Sequence, residues 1–217
     1  MQPRPSSDAA GKARRPYAPR MAPSERREQL IDAALSVILT NGYEGLTIEA
    51  IARAAGVTRP VIYDHFENLG ALLQALIARE EGYALAQLER VVPTRPGDRD
   101  PAELMAAGVR RFLDAVASRP ATWRIILVPL EGTPAIVRHN VETNRARTLE
   151  RIEALVRWAL ERRGPADALD VELTAHAIRS FGEEAGRMVL TDAQHYSPQR
   201  YEQFVETVMS RVLPLSP

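Results

Sequence analysis

Apolar residues recur along this chain at spacings of three and four, and no segment alternates apolar with polar. That is the period of the α-helix rather than of the strand. The first stripe is Leu30, Ala33, Ala34, Val37 and Ile38, opened by Ser24 as N-cap and stopped by Asn41-Gly42. Arg27 rather than Glu stands three residues after Ser24, so no capping box is expected. Thr47 caps a second helix with Glu49 in its first turn and Ile48, Ile51, Ala52 and Ala55 as its buried stripe. A short third helix follows, and Asn68 caps a fourth carrying Leu69, Leu72, Leu73, Leu76, Ile77, Ala84 and Leu88. Pro, Gly and Asp make 94–101 a loop. A fifth helix carries Leu104, Val109, Phe112, Leu113 and Val116. Pro120 opens a sixth that is apolar on nearly every side and is therefore expected inside the fold. The seventh is long, 134–163, striped by Val137, Val141, Leu149, Ile152, Val156 and Leu160. The eighth runs over 171–190, and the ninth, after Ser197-Pro198, carries Tyr201, Phe204, Val205, Val208 and Met209. The pattern predicts an all-α fold of about nine helices.

The most informative stretch is 55–66. Gly56 closes the second helix, because glycine enters the left-handed region without steric cost. Thr58 is the N-cap of the third helix, and Pro60 sits in its first turn, where a missing N–H costs little. Ile62 and Phe66 share one face and can anchor the helix to a core, whereas Arg59 and Tyr63 point elsewhere. The front of the helix therefore offers an arginine, a phenol, an imidazole (His65) and hydroxyls. Thr58, Tyr63 and His65 can donate to phosphate oxygens, and Arg59 can reach a phosphate or a guanine edge. Thr47 can do the same from the second helix, although capping alone also accounts for it.

The same stretch resembles the DNA-binding domain of the tetracycline-repressor (TetR) family. The matching features are Asn41-Gly42-Tyr43, Leu46-Thr47-Ile48, Ile51-Ala52, Ala55-Gly56-Val57, Ile62-Tyr63, His65-Phe66 and Leu72-Leu73, within residues 24–73. Members often carry a lysine shortly after the phenylalanine, where it meets a phosphate. This chain has Leu69 there, so that contact does not carry over. Residues 1–22, with Pro3, Pro5, Pro16, Pro19, Ser6, Ser7 and Gly11, cannot bury enough apolar surface to order and read as a disordered basic tail. The resemblance implies a helix-turn-helix domain over 23–68 and a helical effector-binding and dimerisation domain over 69–217. It implies a homodimer that binds a palindromic operator in double-stranded DNA through Thr47, Thr58, Arg59, Pro60, Tyr63 and His65. It further implies repression relieved by a small molecule, with the last two helices forming the dimer interface.

Composition narrows the alternatives. The 217 residues balance 28 basic against 28 acidic side chains, so no overall basic excess marks a nucleic-acid partner. The N-terminal stretch before Glu44 is nevertheless locally basic, and the tail is read either as a DNA-tracking arm or as a solubiliser. There is no cysteine, and the four histidines lack metal-ligand spacing. No apolar run approaches the roughly 20 residues of a membrane span, and a cytoplasmic location is expected. No nucleophile elbow, phosphate loop or metal motif is present, so neither a cofactor nor catalysis is expected.

In the C-terminal part, Trp123 and Phe181, with Trp158 and Tyr83, are candidate pocket walls, each also readable as plain core. On the eighth helix, Arg179, Glu183 and Arg187 form an ion-paired face expected in solvent. Glu184 falls on the stripe of Ala177, Phe181 and Met188, so it is expected to point inward. There it would need an arginine, the dimer mate or a cationic ligand. Gly182 and Gly186, with Val205, Val208 and Met209, are the expected dimer contact. Two alternatives stay open: a DNA-binding regulator controlled by a protein partner, and an all-α small-molecule carrier or enzyme.

Overall fold

The computed structural model describes residues 21–91, 97–128, 130, 132–163 and 169–211. The expected basic tail falls, but for its last two residues, outside them. Among the described residues there are nine α-helices and no strand: α1 (Pro23–Asn41), α2 (Ile48–Ala55), α3 (Arg59–Tyr63), α4 (Leu69–Val91), α5 (Pro101–Ser118), α6 (Pro120–Leu127), α7 (Ala135–Arg163), α8 (Val171–Thr191) and α9 (Pro198–Arg211).

Local chemistry divides the helices. Gly42 (φ 70°) ends α1, and Gly56 (φ 66°, ψ 34°) ends α2 in the left-handed region. The Thr47 hydroxyl accepts from the Ala50 N–H at 3.1 Å, and the Asn68 amide oxygen accepts from Ala71 at 2.9 Å. The start of α1 differs from expectation. Ala22 is the N-cap, Pro23 the first helical residue and Ser24 the second. A proline favours the first helical position and holds the residue before it extended, which fixes the boundary. Glu25 then supplies the missing cap, accepting from the Ala22 N–H at 3.2 Å.

Two apolar cores lie along the body. The first joins α1–α3 to the N-terminal half of α4 through Leu30, Ile38, Ile51, Ile62, Phe66 and Leu72. It also takes in Val137 from the start of α7, with Ala121 and Ile125 of α6 packed against it. The second collects Ala84 of α4, Leu113 and Val116 of α5, Trp123 and Leu127 of α6, and Ala185 and Val189 of α8. A smaller cluster of Ile152, Val156 and Ala175 zips α7 to α8. Helix α6 is less enclosed than its composition suggested. Thr122, Trp123 and Leu127 are buried, but Arg124 is exposed and donates to the Leu190 carbonyl at 3.2 Å.

Between the two cores lies a polar junction. The Glu80 carboxylate is only 2% exposed. It accepts from the Thr122 hydroxyl of α6 and faces the Arg79 guanidinium at 2.8 Å. Arg79 also reaches α1, at 2.9 Å from Glu28 and 2.7 Å from Asp32. Burial works against the Arg79 charge, but the three carboxylates outweigh it and hold the guanidinium protonated. One side chain thus ties α1 to α4, and its neighbour ties α4 to α6.

Candidate nucleic-acid interface and effector cavity

Helix α3 rests on Ile62 and Phe66, both buried, so its opposite side is turned outward. Thr58, Arg59 and Pro60 are exposed, as is Tyr63 at 53%, while His65 is half-buried. Thr58 occupies the N-cap of α3, yet its side chain makes no capping bond, which leaves the hydroxyl free. Arg59 is drawn back to α2 by Glu49 at 2.8 Å. Both partners are well exposed, so the pair is weak and exchangeable for a phosphate or a base edge. Thr47 is exposed at the head of α2 and keeps its hydroxyl proton for an outside acceptor while its oxygen caps the helix. The six residues expected to meet DNA therefore belong to the α2–turn–α3 unit. Two contacts not anticipated from sequence brace it: Gln29 donates to the Ala55 carbonyl at 3.0 Å, and the Arg27 guanidinium lies 4.7 Å from the centre of the Phe66 ring.

Behind this unit, α4 to α9 enclose a cavity of about 460 Å³ with an overwhelmingly apolar lining. That is within the range of small-molecule sites. Trp123 lines it, edge-on to Phe112 at 5.1 Å, with its indole N–H donated to Gln87 at 2.9 Å.

The other two expected pocket residues lie elsewhere. Phe181 turns toward α9, edge-on to Tyr201 and stacked on Phe204, each at 6.0 Å. Glu184 is exposed and paired with Arg187 at 2.8 Å. Its neighbour Glu183 lines the cavity instead, accepting from Arg145 at 3.1 and 3.3 Å and from Arg179 at 3.0 Å. The supposed solvent face of α8 is thus a cavity wall. Helix α8 carries two apolar sides, and packing selected the one with the small residues.

That selection also corrects the expected dimer patch. A Cβ on Gly186 would come within 2.7 Å of Leu127 Cδ1 and 3.4 Å of Phe112, and Gly182 lines the cavity beside Phe112. Gly186 thus admits α5 and α6 of the same chain, whereas a Cβ on Gly182 would meet Phe112 of α5 only at 4.0 Å. Val205 is buried within the chain, and Val208 and Met209, half-buried, line the cavity, so the patch packs largely against the chain's own helices. Exposed apolar side chains occur instead at Leu173 (67%) and Phe204 (53%).

An outward-facing α2–turn–α3 head on a helical body that lines a cavity is a helix-turn-helix architecture. Residues 30–76 match the sequence model described as bacterial regulatory proteins, tetR family. The chain is 30% identical over 107 residues to the transcriptional activator FasR of Mycolicibacterium smegmatis, covering 49% of this chain and 48% of that one. It is 41% identical over 63 residues to the class D tetracycline repressor of Escherichia coli, covering 27% and 29%. The chain thus spans about half, or less, of the length of these curated relatives. A TetR-like regulator from Rhodococcus shares the fold with a TM-score of 0.70 at 23% identity, over 89% of this chain and 98% of that one. So does FadR from Bacillus subtilis, solved with stearoyl-CoA, with a TM-score of 0.62 at 20% identity over 85% and 97%. Residues 30–76 thus match the tetR family's sequence model, and the whole chain shares the fold of TetR-like regulators. The relatives and neighbours are regulators rather than enzymes.

Proposed function

We propose that this protein is a dimeric, ligand-responsive transcriptional regulator that grips duplex DNA through α3 and releases it when a small molecule fills the α4–α9 cavity. In this reading residues 23–68 are the DNA-reading domain, residues 69–217 the effector and dimerisation domain, and the protein works in the cytoplasm. The observation that carries it is the continuity of α7. Val137 at its start is buried in the core of the DNA-reading helices, and from Val141 onward the same helix walls the cavity. Helix α6 makes a second link, with Thr122 on Glu80 and adjacent Trp123 in the cavity wall. A ligand that shifts either helix changes the angle of the reading heads. The coupling would be on the order of 1–3 kcal/mol and reciprocal. The apolar cavity favours a small effector over a protein partner.

For the dimer, we propose the outer faces of α8 and α9, where Leu173, Phe181 and Phe204 present apolar surface. Two reading heads related by a two-fold axis would bind half-sites about 34 Å apart or a multiple of that. Repression is the proposed sign, by analogy with the tetracycline repressor; FasR, named an activator, is the contrary precedent. The test is selection of duplexes from a random pool by the full chain, followed by titration of the winner against scrambled DNA. A palindromic winner bound in a salt-dependent way supports the reading, and enrichment of no sequence refutes it.

A further inference from the structure

The charged side chains of the cavity lining gather at one end, and Thr174 is a polar lining residue toward the other. Along α7, the lining runs from Val141 through Asn144, Arg145 and Thr148, then becomes apolar through Ile152, Val156 and Leu160. At 1.5 Å per residue this wall is roughly 28 Å long, with its polar part on the side of the DNA-reading helices. Antiparallel α8 repeats the gradient: Glu183 and Arg179 lie opposite the polar stretch, and Ala175 packs against Ile152 and Val156.

The polar end has one positive charge too many. Arg145 grips Glu183 with two donors, a fork geometry that forms a complete pair. Glu184 is taken by Arg187 outside the cavity. Glu81, on the α4 side, has one carboxyl oxygen buried without a partner; burial pushes its carboxyl above the usual carboxylate range, toward the neutral form, against the opposing pull of Asn140 and Arg147. Arg179 is left over. One of its terminal nitrogens shares the Glu183 oxygen already held by Arg145, the other lies 3.5 Å from His176 Nδ1, and its Nε is buried without a hydrogen-bond partner. A buried donor left unpaired costs free energy that an acceptor would recover. Because the Glu183 oxygens are already engaged and burial drives Glu81 toward its neutral form, the spare charge at this end is that of Arg179, which calls for an acceptor.

We infer that the effector is an elongated monoanionic amphiphile, whose carboxylate-like head accepts from Arg179 beside the Arg145–Glu183 pair while its aliphatic tail runs toward Val156 and Leu160. This rests on the proposal that the cavity is the effector site. It replaces the cationic effector that an inward Glu184 would have favoured.

The test uses three probes of equal chain length, dodecanoate, dodecanol and dodecylammonium, each titrated calorimetrically into the full chain below its micellar concentration. Dodecanoate should bind once per chain and tighter than dodecanol by roughly tenfold or more, the worth of a charge-assisted hydrogen bond. Arg179→Gln should erase that preference while dodecanol affinity stays at its original value, which also shows that the variant is folded. Preference for dodecylammonium, equal binding of all three, no binding by any, or a preference that survives Arg179→Gln would each overturn the inference. Binding of selected DNA by the same preparations is measured separately. Intact DNA binding with no anion preference leaves the regulator reading standing, whereas lost DNA binding with intact dodecanoate binding sinks that reading alone.

Discussion

Arg79→Met is the sharpest probe of how the reading head is held to the body. Methionine keeps most of the side-chain length and removes the charge. Of the three carboxylates around Arg79, those of Glu28 and Asp32 are more than half exposed and contribute little. Glu80 is different, because its side chain is 3% exposed and the substitution leaves it charged and unpaired apart from the Thr122 hydroxyl. Breaking one side of a buried pair costs roughly 3–5 kcal/mol. For a chain of this size that lowers the melting temperature by roughly 6–20 °C. Urea unfolding at fixed protomer concentration should show a lower midpoint with an unchanged slope; the concentration is held fixed because the proposed dimerisation would make the midpoint depend on it. The double variant Arg79→Met, Glu80→Met should recover most of the loss, because an apolar pair of similar volume is often as stable as the ionic one. A single variant that melts within about 2 °C of the parent, or a double variant no better than the single, refutes the reasoning.

The residues proposed to face DNA can be told apart by substitution. Tyr63→Phe should weaken selected and scrambled DNA alike in a salt titration, because a phosphate contact carries no sequence information. Arg59→Ala should cost selected DNA about 1–3 kcal/mol more than scrambled DNA if the guanidinium leaves Glu49 for a base edge; equal losses assign it to phosphate. Gly186→Leu should lower thermal stability rather than release folded monomers, since its side chain would enter Leu127 and Phe112; folded monomers in sedimentation would return Gly186 to the dimer interface. Phe204→Glu should do the reverse, giving folded monomers with lost affinity for the palindrome, and an unchanged dimer would exclude the outer face of α9.

Much of the fold was legible in the chain because its signals are local. Helical period, the Thr47 and Asn68 caps and the Gly42 and Gly56 stops act within a turn or two, so the nine helices among the described residues and the α2–turn–α3 head follow from neighbours in sequence. Even the misplaced start of α1 had a local signal, Pro23 with Glu25, which outranked Ser24. The outward set of α3 follows likewise from Ile62 and Phe66 being the residues that must be buried. What tertiary structure decided was which neighbour fills each direction around a helix. Periodicity puts Glu183 and Glu184 about 100° apart but does not say which faces the cavity. That depended on Gly186 admitting Phe112 and Leu127, a close approach that selected one of two apolar sides of α8. The pairs that matter there and at the junction span long separations, Arg145 to Glu183 over 38 residues and Thr122 to Glu80 over 42. No spacing rule reaches so far, because such contacts exist only once the helices have packed and the cost of burying each charge has been met by whatever lies opposite.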